Sequence, residues 1–143
     1  VVGRFRPRLE SEGFGVELAI ADDLPAVLVD REAMAHVLGN LLDNASKYGR
    51  GERPVLRVDA RATPEGVVEV AVQDRGPGIP ANERGRVFER FWRSPGVPRQ
   101  TGGAGLGLTI ARAQARAMGG DLVVTDPVDG PGARFVLRLR PGR

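Results

Sequence analysis

Two alternating runs joined by a turn constrain this chain more than any other feature in it. Val55 to Ala62 alternates, Val67 to Gln73 alternates again, and Thr63-Pro64-Glu65-Gly66 between them is composed of turn formers. The pattern predicts a hairpin whose strands each present one apolar face. That face needs a cover, and the preceding stretch supplies one. Stepped by ~100° per residue, Asp30, Met34, Val37, Leu38, Leu41, Leu42, Ala45 and Tyr48 fall on one side of a predicted helix, with Asp30 at the N-cap position and Gly49 at its end. Asn40, Asn44 and Lys47 form a second, polar stripe beside it.

The remaining segments fit around this pair. Val1 to Glu12 has helix-compatible spacing at Val2, Phe5 and Leu9, interrupted by Pro7, and equally suits the end of a longer helix, so 1–12 reads as the remnant of a linker helix. Gly15 to Ile20 and Pro25 to Val29 read as strands, and Glu83 to Phe91 as a short helix. Ser94 to Gly105 holds two prolines and four glycines and reads as a mobile segment. A helix is expected from Leu106 to Met118, stopped by Gly119-Gly120. Asp121 to Thr125 and Ala133 to Leu139 follow as strands around the turn Asp126-Pro127-Val128-Asp129-Gly130. Because hairpins rather than regular βαβ units dominate, the expected class is α+β: a two-layer α/β sandwich with a mixed, mostly antiparallel sheet and helices on one face.

At 143 residues this is one domain, 1–143, large enough to hold a core without staples. It has no cysteine, which excludes disulfides and thiolate metal sites, and a single histidine, His36, which makes no metal cluster alone. Of 21 basic residues only Lys47 is lysine, and the arginines are scattered, which argues against a nucleic-acid stripe and leaves a small polyanion as a compatible ligand. No window reaches the length of a signal or membrane segment.

Two further constellations can carry chemistry. Asp74 with Gly76 and Gly78 sets a carboxylate beside residues without side chains, so a flat ligand can lie on backbone while the acid accepts its N–H, as an exocyclic amine such as adenine's would require. Taken alone, that spacing is more often an ordinary Asp-Gly turn. Gly102-Gly103-Ala104-Gly105-Leu106-Gly107-Leu108 runs into a helix and offers backbone N–H groups at the positive end of its dipole, an anion site. No Gly-Lys-Ser/Thr follows, and Leu108 stands where a dinucleotide fingerprint needs glycine.

In this order, Asn-x-x-x-Asn-Ala-x-Lys-Tyr, Asp-x-Gly-x-Gly-Ile and Gly-x-Gly-Leu-Gly-Leu are highly specific together. The chain resembles the catalytic, ATP-binding domain of bacterial sensor histidine kinases, in the wider Bergerat-fold group with DNA gyrase, heat-shock chaperones and mismatch-repair ATPases. The resemblance runs from about Phe14 to Leu139 and includes Val87-Phe88-Glu89-Arg90-Phe91-Trp92-Arg93 and Gly132-Ala133-Arg134-Phe135. It implies ATP and Mg²⁺ as cofactors. Asn44 would be the magnesium ligand with Asn40 supporting it, Lys47 and Arg93 would contact phosphates, and Tyr48 would pack near adenine. Asp74 would take the adenine amine, with Gly76, Gly78 and Ile79 lining that end. Phe88 and Phe91 would anchor the base of a lid at 94–104, and Gly103, Gly105, Leu106, Gly107 and Leu108 would wrap the triphosphate.

The resemblance further implies transfer of the γ-phosphate to a histidine on a separate dimerisation domain of the same full-length kinase, and a response regulator downstream. The domain would be monomeric in isolation and cytoplasmic, consistent with a full-length protein anchored in the inner membrane. Two departures stand out: the lid has Ala104 where a hydroxyl or amide is frequent, and His36 lacks the His-Glu-Leu-Arg-type context of a phosphoacceptor. The rival readings are an ATP-driven clamp or hydrolase, which needs a water-activating base, and a module that only binds nucleotide.

Overall fold

The computed structural model describes residues 2–21, 31–48, 54–89, 107–128 and 130–140. In chain order these form α1 (Val2–Ser11), β1 (Gly15–Ile20), α2 (Arg31–Tyr48), β2 (Val55–Ala62), β3 (Val68–Gln73), α3 (Gly107–Ala117), β4 (Asp121–Thr125) and β5 (Arg134–Leu139). The strands make one sheet in the order β1-β2-β3-β5-β4. Only β1 runs parallel to its neighbour, pairing Gly15 with Val55, and the other pairings are antiparallel, so the sheet is mixed and mostly antiparallel as expected.

Alternation explains the sheet's two faces. Leu56, Val58 and Ala60 on β2, Val68, Val70 and Val72 on β3, and Phe135, Leu137 and Leu139 on β5 are buried. Against them pack α2, through Val37, Leu38, Leu41, Leu42 and Ala45, and α3, through Leu108, Ala111 and Ala115, so the apolar stripe read on α2 is the stripe it buries. The opposite face carries charge in cross-strand rows: Glu69 on β3 accepts from Arg61 on β2 and Arg138 on β5, and Arg134 on β5 pairs with Asp59 on β2. Among the described residues no helix is long and apolar enough to cross a membrane.

Helix ends obey local chemistry. Gly119, at φ 82°, donates to the Arg116 carbonyl and Gly120 donates to Ala115, the paired bonds of a Schellman stop. Gly13 and Phe14 close α1 the same way on Glu10 and Leu9. Within α1 Arg8 Nη2 pairs with Asp43 Oδ1 at 2.6 Å, and just past its end Glu12 accepts from the Ser46 hydroxyl, which fixes α1 on α2. Pro7 lies inside α1 without ending it.

One expected element is not there. Of the helix expected over 83–91, the described part is a 3₁₀ turn, Ala81–Glu83, followed by turns through Phe88 and a bend at Glu89. No side chain caps its start, Gly85 falls in its middle, and between Ala81 and Glu89 only Val87 and Phe88 are large apolar residues, too few for an amphipathic stripe. Both are drawn into the core instead. The expected strand at 25–29, the Asp30 cap and the whole of 94–105 lie outside the described residues.

Candidate nucleotide site

Asn40 and Asn44 sit one turn apart on α2, half-buried, beside the buried stripe. The first residue of α3 comes to them: a Cβ built on Gly107 would lie 3.7 Å from Asn40 Oδ1. No acidic residue occupies the first turn of α3, so its positive end is left without a carboxylate of its own helix beside a pair of carboxamides. Leu108, one of the residues expected to wrap a triphosphate, turns its side chain into the core at 8% exposure, so any part it has in an anion site is confined to its backbone N–H.

Asp74 closes β3 and is only 4% exposed. Its Oδ1 accepts from Gly76 N–H at 2.9 Å and from Ala133 N–H at 3.1 Å, while Asp74 N–H donates to the Ala133 carbonyl at 3.0 Å. Among the described residues Oδ2 accepts nothing. Burial pushes the Asp74 carboxyl up, and the two N–H bonds only partly offset that. A buried carboxylate with one oxygen held and the other open is equipped to accept a hydrogen bond from a ligand N–H.

Backbone forms the adjoining wall. Gly78, at φ 78°, would drive a Cβ to 2.7 Å from the Gly132 carbonyl oxygen, and Gly132, at φ 138°, would drive one to 2.0 Å from the Asp74 carbonyl oxygen. Neither site admits a side chain. Ile79, half-buried, packs on the core beside them. Arg84 braces the rim, donating to the Ile79 carbonyl at 3.4 Å and pairing with Asp126 at 2.6 Å.

Phe88 lies edge-on to Phe135, 6.4 Å between centroids, with the Arg112 guanidinium 4.6 Å from its ring centre. Its carbonyl accepts from the Thr109 hydroxyl at 2.7 Å, which ties the chain leaving Phe88 to the first turn of α3. Phe91, Arg93, Gly103, Gly105 and Leu106 lie outside the described residues, as do the side chains of Lys47 and Tyr48, whose backbone ends α2. Sequence reasoning passed over the β4–β5 turn as a builder of the site. Its signal was Gly132 in the run Gly130-Pro131-Gly132: that glycine meets another backbone, whereas a Cβ on Gly130 would meet nothing within 4 Å.

Residues 29–143 match the family described as histidine kinase-, DNA gyrase B-, and HSP90-like ATPase. The chain belongs to this family. Among curated members, the alginate biosynthesis sensor protein KinB of Pseudomonas aeruginosa is 37% identical over 136 residues, 95% of this chain and 22% of that protein. The signal transduction histidine-protein kinase/phosphatase MprB of Mycobacterium sp. (strain KMS) is 44% identical over 119 residues, 80% of this chain and 22% of that protein. The chain therefore spans about a fifth of the length of these relatives. Among solved family members, mycobacterial sensor histidine kinase MprB superposes with a TM-score of 0.79 at 34% identity, covering 99% of this chain and 92% of that one. Full-length ShkA in complex with AMPPNP gives 0.78 at 32% identity, covering 98% and 28%. The five-stranded mixed sheet with helices on one face is the family's Bergerat fold.

Proposed function

We propose that this chain is the ATP-binding catalytic domain of a sensor histidine kinase, which holds Mg-ATP and delivers its γ-phosphate to a histidine on a separate dimerisation domain of the same full-length protein. The observation that carries this reading is Asp74, buried, held through Oδ1 by two backbone N–H groups and flanked by the Gly78–Gly132 wall. Oδ2 accepts the exocyclic amine of adenine, and the side-chain-free wall receives the flat base. Asn44, supported by Asn40, supplies oxygen to Mg²⁺, which needs few protein ligands when phosphate oxygens complete its shell. Lys47, Arg93 and the amides of Gly103, Gly105, Leu106 and Gly107 are assigned to the phosphates by resemblance to the family. The bound Mg²⁺ would spread charge developing on the β- and γ-phosphate oxygens, and the chain's own part is to bind and orient.

A response regulator is the proposed downstream acceptor, and the proposed location is the cytoplasmic side of the membrane. Calorimetric titration with ATP and GTP in Mg²⁺, paired with transfer from γ-labelled ATP to an added histidine-bearing dimerisation domain, tests the reading. Tight ATP binding, weak GTP binding and an acid-labile phosphoprotein are expected. Nucleotide binding with no transfer to any such domain would leave a binding-only module.

A further inference from the structure

Asp74 is steered from the far side of the sheet. Its neighbour Gln73 and the residue after Ala133, Arg134, are the last register pair between β3 and β5, with side chains on the face away from the helices. Arg134 reaches across β3 to β2, where Nη1 and Nη2 donate to the two oxygens of Asp59 at 2.7 and 2.8 Å. Nη1 also donates to Gln73 Oε1 at 3.2 Å. Gln73 in turn holds the β4–β5 turn at both polar groups of one residue, donating to the Val128 carbonyl at 2.7 Å and accepting from Val128 N–H at 2.9 Å. Burial pushes the Asp59 carboxyl up, but Arg134 and Arg57 outweigh it and hold it below the usual range.

We infer that Arg134 is a positioning residue for base recognition: the Asp59–Arg134–Gln73 clamp holds Ala133 N–H against Asp74 Oδ1 and thereby orients Oδ2 toward the base. The turn it restrains has little burial of its own. Asp126, Val128, Gly130 and Pro131 are exposed, so polar pins rather than packing locate the chain that delivers Ala133. The two N–H groups on Oδ1 are unequal. Gly76 is two residues from Asp74 and its bond closes locally, whereas the Ala133 bond joins the end of β3 to the start of the neighbouring β5, 59 residues on in sequence, and depends on where β5 begins. A guanidinium fork suits the task because it fixes two oxygens and a third acceptor in one plane, which an ammonium does not. The inference rests on the proposal that Asp74 takes the adenine amine.

The test compares Arg134→Met with Arg138→Met, which removes an arginine from the same strand and face that, among the described residues, pairs with Glu69 alone. In the nucleotide-free protein, amide exchange at Ala133 should quicken in Arg134→Met while Gly76 keeps its protection, and Arg138→Met should change neither. In calorimetric titration Arg134→Met should lose about tenfold in ATP affinity, the scale of one hydrogen bond to a charged group. It should change by less than about twofold for the triphosphate of purine riboside, which lacks the amine. Arg134→Lys should recover only part of the loss. Should Arg134→Met be too unstable to titrate, Arg134→Lys and Asp59→Asn carry the same comparison. Equal losses for both nucleotides, or unchanged Ala133 exchange, would overturn the inference. Asp74→Asn separates the two levels: if it weakens ATP and Arg134→Met does not, only the positioning role fails, and if it treats both nucleotides alike, the adenine reading fails first.

Discussion

At Asp74 stability and the proposed base recognition pull in opposite directions. The folded protein holds this proton more tightly than the unfolded chain does, because burial disfavours the charge. Between the ordinary carboxyl pKa and the raised one, the folded state therefore binds more protons than the unfolded, and its stability falls as pH rises through that window. Base recognition needs the carboxylate and should strengthen over the same window. Asp74→Asn is thus expected to weaken ATP binding by about 1–3 kcal/mol while raising the melting temperature of the nucleotide-free domain and flattening its pH dependence. Calorimetry and thermal melts from weakly acidic to neutral pH decide it, and unchanged affinity would remove Asp74 from the site. Asn40 carries a second prediction. A carboxamide is no general base at neutral pH, so water should be a poor acceptor. The isolated domain should release phosphate from γ-labelled ATP very slowly and leave His36, which lies 3.4 Å from Gln114 Nε2, unlabelled. Fast release abolished by Asn44→Ala would favour a hydrolase.

At the level of elements, the parts legible in the sequence were those whose determinants are local. The alternation of 55–62 and 67–73 marked β2 and β3 because their inner residues are the buried ones, and the stripe from Val37 to Ala45 marked α2 for the same reason. Gly119-Gly120 announced its stop because a left-handed residue followed by a second glycine satisfies the last carbonyls of α3. What could not be read depends on residues far apart in sequence. Phe88 gives up a helix to reach Phe135, and Gly132 joins the site only because β5 pairs with β3 and brings it onto the Asp74 carbonyl. Asn40, Asn44 and Asp74 were visible as types in a familiar spacing, whereas the hold on Asp74 Oδ1 by Ala133 was not. Gly132→Ala tests the turn as an element. With its Cβ directed into backbone at a positive φ, it should cost roughly 2–4 kcal/mol of stability and lower ATP affinity. Denaturant unfolding and titration measure both, and a neutral substitution would mean that the turn yields freely.

For the molecule as a whole, the two helices divide the work. α2 is held along its length, by the sheet below and by Arg8 and Glu12 of the α1 segment beside it. α3 is held along its length too, by Leu108, Ala111 and Ala115 in the core and by Gln114 against His36 of α2. It is also seated at both ends, with Gly107 against Asn40 and Gly120 so close to β5 that a Cβ would fall 2.0 Å from the Arg138 carbonyl oxygen. In mechanical terms α3 is a strut of about 16 Å with its heel in a socket. A shift at the heel swings the whole packed helix, tip included, so the setting of the tip depends on how tightly the heel is seated. Gly120→Ala lifts the heel, and its effect should surface at the tip, as weaker ATP binding from a residue a full helix length away and with no part in the site. If that substitution lowers the melting temperature but leaves the ATP affinity alone, the strut bends before it swings.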